Sequence, residues 1–277
     1  MTGNKKSCFS GHCLLFILLA LSMAAGCAQV PITERRGLQF IPESNLTSMS
    51  LVEYDKILRE SKLSSDKEEV DTVRRVGNRI ASAAEDFLRD AGMQEDLKNY
   101  HWEFNVIDDD KMVNAWCMPG GKVAVYTGIL PYTKDETGLA TVMAHEVGHA
   151  IAKHGNERMS QGVLAAIGGI VLSVALFNQS TGNRNIYMAA YGAGASLGVL
   201  LPYSRLHESE ADRIGLMIMA RAGYDPREAI PFWERMNSQA EKGRRPPEFL
   251  STHPAPSSRI ADIQKYMPDA LSYYKTP

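Results

Sequence analysis

Basic residues are not in excess in this chain of 277 residues. Thirty Lys and Arg stand against 32 Asp and Glu, a formal charge of −2, so there is no positive field of the kind that holds a phosphate backbone. This composition speaks against a nucleic-acid partner. Cysteine is scarce: there are four, and Cys8 and Cys13 lie in the N-terminal segment, before Cys27 and Cys117. No segment repeats with the ~20–50-residue period of solenoid arrays. No charge-free apolar run in the body of the chain reaches the ~20 residues of a comfortable membrane span.

What the sequence does have begins at its N-terminus. Lys5 and Lys6 precede "CLLFILLALSMAAGC", which ends at Cys27. A basic start, a short apolar core and a small-residue ending are the parts of a secretory signal. The ending "AAGC" resembles a bacterial lipobox, with Ala24 where the pattern usually has Leu. The resemblance implies that residues 1–26 are a lipoprotein signal peptide and that Cys27 is the lipidation site. An ordinary signal cut near Ala25 or Gly26 is the alternative. With Ala28, not Asp, after the cysteine, the resemblance to enteric sorting rules implies a bacterial outer membrane, with the protein facing the periplasm. Removal of the segment takes away Lys5 and Lys6 and no acid, giving −2 − 2 = −4. Cys117 is then alone beside an acylated Cys27, and no internal disulfide is expected.

Residues 27–50, polar and interrupted by proline, read as the lipidated N-terminus and a tether, and 51–277 as the folded domain. Val70, Val73, Val76, Ile80 and Ala83 recur at helical steps over about 66–91. "WEFNVID" at 102–108 alternates as a strand does, and "NAWCMPGGKVAVYTGIL" at 114–130 reads as two strands around Pro119-Gly120-Gly121. Thr133 and Glu136 have capping-box spacing. The helix they open is expected to run to about Met159. Two charge-free segments, 162–177 and 186–203, are expected as buried core helices, and a transmembrane hairpin is the other reading.

The helix after Thr133 carries "TVMAHEVGHA", Thr141–Ala150. Residues i and i+4 of a helix lie about 40° apart around its axis, so His145 and His149 project side by side and can grip one metal ion. Glu146, about 100° round, is off that line. It is placed to accept a proton from a water that a bound zinc has acidified. A polar stripe on a solvated helix is the plain alternative. The metzincin extension is excluded, because Ala152 and Gly155 stand where it needs Gly and His. His154 falls about 140° from His149 and reads as an exposed helix-end residue.

A third ligand is sought in "SRLHESEAD", Ser204–Asp212. Glu208 and Asp212 share a helical face; Glu208 can ligate while Asp212 orients a ligand histidine. Glu210 points elsewhere and is expected in solvent, and a generic acidic face is the alternative for the whole segment. Arg205 reads as a structural partner for an acid.

The pairing of "HEVGH" with "SRLHESEAD" resembles the zinc endopeptidase family that contains the CaaX prenyl proteases, HtpX and the periplasmic BepA- and LoiP-like proteases. "NAWCMPGGKVAVYTGIL", "AIAKH" and "THPAPSSRI" agree with it. The resemblance covers about residues 50–267. It implies one zinc per chain on His145, His149 and Glu208, with Glu146 as base and Asp212 behind a ligand. It also implies a mostly helical α+β fold of gluzincin type, with a small sheet at the cleft. The activity it implies is peptide-bond hydrolysis, with unfolded or misassembled envelope proteins as substrates and the envelope assembly machinery as a possible partner. The hairpin offers those substrates a strand edge, or is merely structural. A chaperone-like binding module and a zinc amidase acting on peptidoglycan are the competing functions. His253, in the proline-stiffened "STHPAPSSRI" loop, is open to three readings: a latch on the metal, an oxyanion donor, or a surface histidine.

Overall fold

The computed structural model describes residues 27–30, 33–195, 201–242, 247–254 and 257–275. The expected signal segment, 1–26, lies outside them. A short antiparallel clip opens the fold, β1 (Cys27–Gln29) paired with β2 (Arg36–Leu38). Helix α1 (Glu43–Glu60) follows. Residues 28–50, expected as a tether, thus carry a hairpin and the first turns of a helix. The physical reason is burial, since Val30 and Leu46 are core residues. Cys27 sits at the start of β1, opposite Leu38.

Asp66 caps α2 (Lys67–Asp90), accepting from the N–H groups of Glu68 and Glu69 at 2.9 and 3.2 Å. Its apolar face, Val73, Val76, Ile80, Ala84 and Phe87, is buried. A three-stranded sheet comes next, in the order β3 (Glu103–Ile107), β5 (Lys122–Tyr126), β4 (Ala115–Met118). β3 runs parallel to β5 and β4 antiparallel to it. Gly120 and Gly121 close the β4–β5 hairpin with φ of 89° and 80°, the left-handed pair that a tight hairpin turn needs. After the single turn α3 (Leu130–Thr133), helix α4 (Glu136–Ile151) runs through the centre, against α2 and β4. Its cap is Asp135, accepting from Thr137 and Gly138 at 2.9 Å each, and not the expected Thr133, which closes the preceding turn.

The expected continuation of α4 to Met159 is also corrected. The helix stops at Ile151, Lys153 turns left-handed with φ 57°, and α5 (His154–Ala175) starts in a new direction. An ion pair of Lys153 with Asp96 at 2.9 Å fixes the corner. Only the first turns of α5 are buried. Beyond them Ile167, Ile170, Val171 and Val174 are exposed, as is Phe177 after the helix, and on α6 (Thr181–Ala195) so are Ile186 and Tyr187. The core helices expected at 162–177 and 186–203 are therefore, where described, an outlying pair. The reason is that they pack on each other, with Tyr191 donating to the Ala165 carbonyl at 2.8 Å. Among the described residues one helix, His154–Ala175, is long and apolar enough to cross a membrane.

Helix α7 (Leu201–Arg221) returns against α4 and ends at Gly223, φ 82°. Two glycines let these helices touch backbone to backbone. A Cβ on Gly148 would lie 2.8 Å from the Ala211 carbonyl oxygen, and one on Gly215 would lie 3.0 Å from the Ala144 oxygen and the His145 nitrogen. Three more helices, α8 (Ala229–Lys242), α9 (Glu248–Thr252) and α10 (Ser257–Leu271), complete the mostly helical α+β architecture.

Candidate metal centre

Close approach of α4 and α7 brings the acids of one helix to the imidazoles of the other. His145 and His149 sit one turn apart with Nε2 atoms 3.1 Å from each other. Each lies 3.3 Å from an oxygen of Glu208 on α7. The end of α9 adds His253, whose Nδ1 is 3.2 Å from His145 Nε2 and 3.1 Å from Glu208 Oε2. Ligand-capable atoms of all four residues lie within 4.8 Å of one another, and all four residues are buried. A tetrahedral ion with bonds of ~2.0–2.1 Å needs donors roughly 3.3–3.4 Å apart. The contacts of 3.1–3.3 Å fit that figure. The donor set, imidazole and carboxylate, suits a dication of zinc type.

Glu146 borders the cluster and does not join it. It is buried, and its Oε1 makes no hydrogen bond; the nearest partner is His253 Nε2 at 3.3 Å. A buried carboxylate oxygen without a donor is costly, and here it is aimed where a proton would have to be taken up. Asp212 accepts at 3.0 Å from His145 Nδ1, the outer nitrogen of that ring. It is held in turn by Arg259 on α10, whose Nε and Nη2 donate to its two oxygens at 2.7 Å each. Arg259 also stacks over Trp233 and donates to the carbonyls of His253 and Pro254, so one guanidinium braces both a ligand's partner and the His253 loop. Sequence spacing alone gives Arg259 no role; its signal is an arginine six residues after a proline-stiffened histidine.

Electrostatics follow from burial and these partners. Burial pushes the His145 imidazole down, but Asp212 and Glu208 outweigh it and hold it at about 9. Burial drives His149 well below the ordinary histidine value, against the pull of Glu208. Glu208 itself is pushed up by burial and brought well below the carboxylate range by His149, His145 and His253.

Two expectations are corrected. His154 is not an exposed helix end; it is fully buried, because the corner at Lys153 folds it back until its Nδ1 lies 2.9 Å from His149 Nδ1. Glu210 is not solvated; it is 4% exposed and bonded to His154 at 3.2 Å, Arg35 at 2.8 and 2.9 Å and Thr33 at 2.7 Å. Sequence spacing could not find these contacts, since they depend on the helix break and on the N-terminal hairpin. Arg205 is exposed.

Comparison with known proteins gives the same segment a kinship. The sequence profile described as Peptidase family M48 matches residues 74–267. The mitochondrial metalloendopeptidase OMA1 of Schizosaccharomyces pombe is 39% identical over 174 residues, 63% of this chain and 49% of that protein. That of Arabidopsis thaliana is 35% identical over 181 residues, 65% of this chain and 35% of that protein. The beta-barrel assembly-enhancing protease of Escherichia coli (strain K12) is 35% identical over 173 residues, 59% of this chain and 34% of that protein. The chain thus spans about half, or less, of the length of these curated relatives. The expected placement, lipid-anchored on a bacterial outer membrane and facing the periplasm, is overturned by the relatives named as mitochondrial in yeasts and a plant.

Proposed function

The chain belongs to peptidase family M48, and from that premise we propose that it is a zinc-dependent metalloendopeptidase that hydrolyses peptide bonds in unfolded or misassembled proteins. The observation that carries this reading is the convergence of four buried donors on one point, with the Glu146 carboxylate, whose Oε1 makes no hydrogen bond, beside them. His145, His149 and Glu208 would hold one zinc ion, which when bound polarises water and the substrate carbonyl. Glu146 accepts the proton at Oε1 and returns it to the leaving amine. Asp212 keeps the proton of His145 on Nδ1, which leaves Nε2 free to ligate.

The substrate path is read from the sheet. β4 is an edge strand. Beside it lies a cavity of about 260 Å³ lined by Leu46, Tyr100, Trp116, Met118 and His149. An extended chain can add to that edge through its main chain and place an apolar side chain in the cavity, which suits a preference for unfolded segments over a fixed sequence. His253 belongs to the same proposal as a latch. Its Nδ1 stands among the donors, so it would compete with water for a bound ion.

Glu146→Gln tests the proposal. The variant should bind zinc as the wild type does, since residue 146 is not among the converging donors. Its cleavage of an unfolded protein should fall by about 10²–10⁴. Full cleavage by zinc-loaded Glu146→Gln would overturn the mechanism.

A further inference from the structure

A second buried layer lies directly behind the donor cluster. It contains the buried His154 and Glu157 from α5 and His207 and Glu210 from α7, closed by the half-buried Thr33 and Arg35 from the turn between β1 and β2. We propose that Arg35, Glu210 and His154 are positioning residues for His149, so that the N-terminal hairpin forms part of the metal site.

The argument is one of donors and acceptors. His149 Nε2 faces the cluster, so its lone pair is the one offered to an ion. Its proton must then be on Nδ1, 2.9 Å from His154 Nδ1. His154 can accept there only if its own proton is on Nε2, and that nitrogen lies 3.2 Å from Glu210 Oε2, an obligate acceptor. One tautomer of each ring satisfies every contact. Glu210 is held from the far side by Arg35 Nε and Nη2 at 2.9 and 2.8 Å, and by Thr33 Oγ1 at 2.7 Å. Arg35 is itself fixed two-pronged on Glu157 at 2.9 and 2.7 Å, and Glu157 meets His207 Nε2 at 3.1 Å. His145 has a carboxylate, Asp212, directly on its outer nitrogen. His149 reaches its carboxylate only through a second imidazole, and that carboxylate is aimed by an arginine 175 residues away in sequence. Loss of any member leaves the next with an unpaired buried group and lets His149 turn.

The inference rests on the reading of this cluster as a zinc site, and the experiment separates the two. Zinc affinity is measured on the purified chain by competition with a chromophoric chelator, for wild type, His154→Leu, His154→Gln, Arg35→Gln and Arg75→Gln. Partners behind a metal ligand are typically worth about 10–100-fold in affinity, so His154→Leu should weaken zinc by that factor and Arg35→Gln by about tenfold. His154→Gln should stay within about threefold of wild type, because its amide offers one acceptor and one donor in the same order. Arg75→Gln, at an exposed ion pair with Glu136, should change nothing. His154→Leu and Arg35→Gln that bind zinc like the wild type would overturn the inference and leave the zinc site standing. A wild type that takes up no zinc would overturn the site itself. Should the variants not fold, proton–nitrogen correlation spectra of the zinc-loaded wild type decide: Nδ1–H on His149 with Nε2–H on His154 is the expected pattern, and Nδ1–H on His154 overturns it.

Discussion

The two buried layers between α4, α5 and α7 use the same residue types to opposite ends. In the outer layer, Glu157 and Glu210 meet a cation that the protein supplies, Arg35, at 2.7–2.9 Å. In the inner layer Glu208 meets mostly imidazole nitrogens, at 3.1–3.3 Å. The one arginine nearby, Arg259, makes its short contacts at 2.7 Å to Asp212 and stays 3.4 Å from Glu208. Glu146 adds a second carboxylate with no hydrogen bond on Oε1. The outer layer pairs its carboxylates closely with an arginine, while the inner layer gathers imidazole nitrogens around Glu208.

The largest expected effect sets the layers against each other. Glu208→Ala should abolish zinc binding and cleavage together, since it removes the one carboxylate among the converging donors. A solvent-facing Glu210, as the helix spacing alone implies, would make Glu210→Ala neutral. The structure makes it destabilising by about 1–3 kcal/mol, the cost of leaving the buried His154 Nε2 without its acceptor, while Arg35 keeps Glu157 and zinc still binds when supplied in excess. Metal content and urea unfolding of both variants check this. Equal stability with equal metal loss would erase the distinction between the layers.

A smaller effect follows from pH. Burial pushes Glu157 up, but His207 and Arg35 more than reverse it and hold it at about 2, below the ordinary 4.5. Gln161 also faces it, at 3.4 Å. Because the folded value is the lower one, this contribution is complete above about pH 4.5 and is lost as pH falls towards 2. The loss should be about 1.4 kcal/mol for each unit of pH in that window. Unfolding free energies of wild type and Glu157→Gln, taken from pH 6 to 3, should converge as the acid is titrated. Parallel curves would show that Glu157 carries no such linkage.

The inner layer was far more legible in the sequence than the outer. Two i, i+4 pairs, His145 with His149 and Glu208 with Asp212, are set by helix geometry alone, and both helices formed. Gly148 is the point where α4 meets the Ala211 carbonyl. His154 was misplaced because its angle was reckoned on a helix that breaks at Lys153. Glu210 was misplaced because its partner Arg35 belongs to a stretch that reads as a tether. The apolar segment 162–177 differs for another reason: hydrophobicity without charge states a preference for burial, and along this stretch of α5 Tyr191 of α6 packs back while Ile167, Ile170, Val171 and Val174 stay exposed.

The helix crossing offers an intermediate effect. Gly215→Ala would set a methyl 3.0 Å from the Ala144 oxygen, backbone that cannot rotate away. Overpacking of this kind costs about 1–3 kcal/mol. Because the same crossing spaces Glu208 from both histidines, zinc should weaken along with stability. Gly192→Ala, with open space around its Cβ position, is the control, and it should leave both unchanged.

The smallest expected effect concerns His253, the one residue that touches both parts of the inner layer. Its Nδ1 lies with the donors, 3.1 Å from Glu208, and its Nε2 lies 3.3 Å from Glu146. In this position the ring occupies the corner that a substrate carbonyl or water needs, and it also crowds the carboxylate that must take the proton. Phe249, 4.8 Å away between ring centroids, and Arg259, donating to the His253 carbonyl at 3.3 Å, hold the ring there. Removal of the ring should therefore speed the reaction. A neutral imidazole makes a modest ligand when three others remain, so the gain for His253→Ala should be several-fold and not orders of magnitude. The measurement is initial cleavage rate on an unfolded protein at matched zinc occupancy, with the chain's own integrity followed by mass. A slower variant with zinc retained would instead make His253 a donor to the developing oxyanion, a role worth about 2.7–4 kcal/mol where one such donor is lost. It would also mean that the ring turns away from Glu208 when substrate arrives, so that the inner layer is open in one working state and closed in the other while the outer layer stays fixed in both.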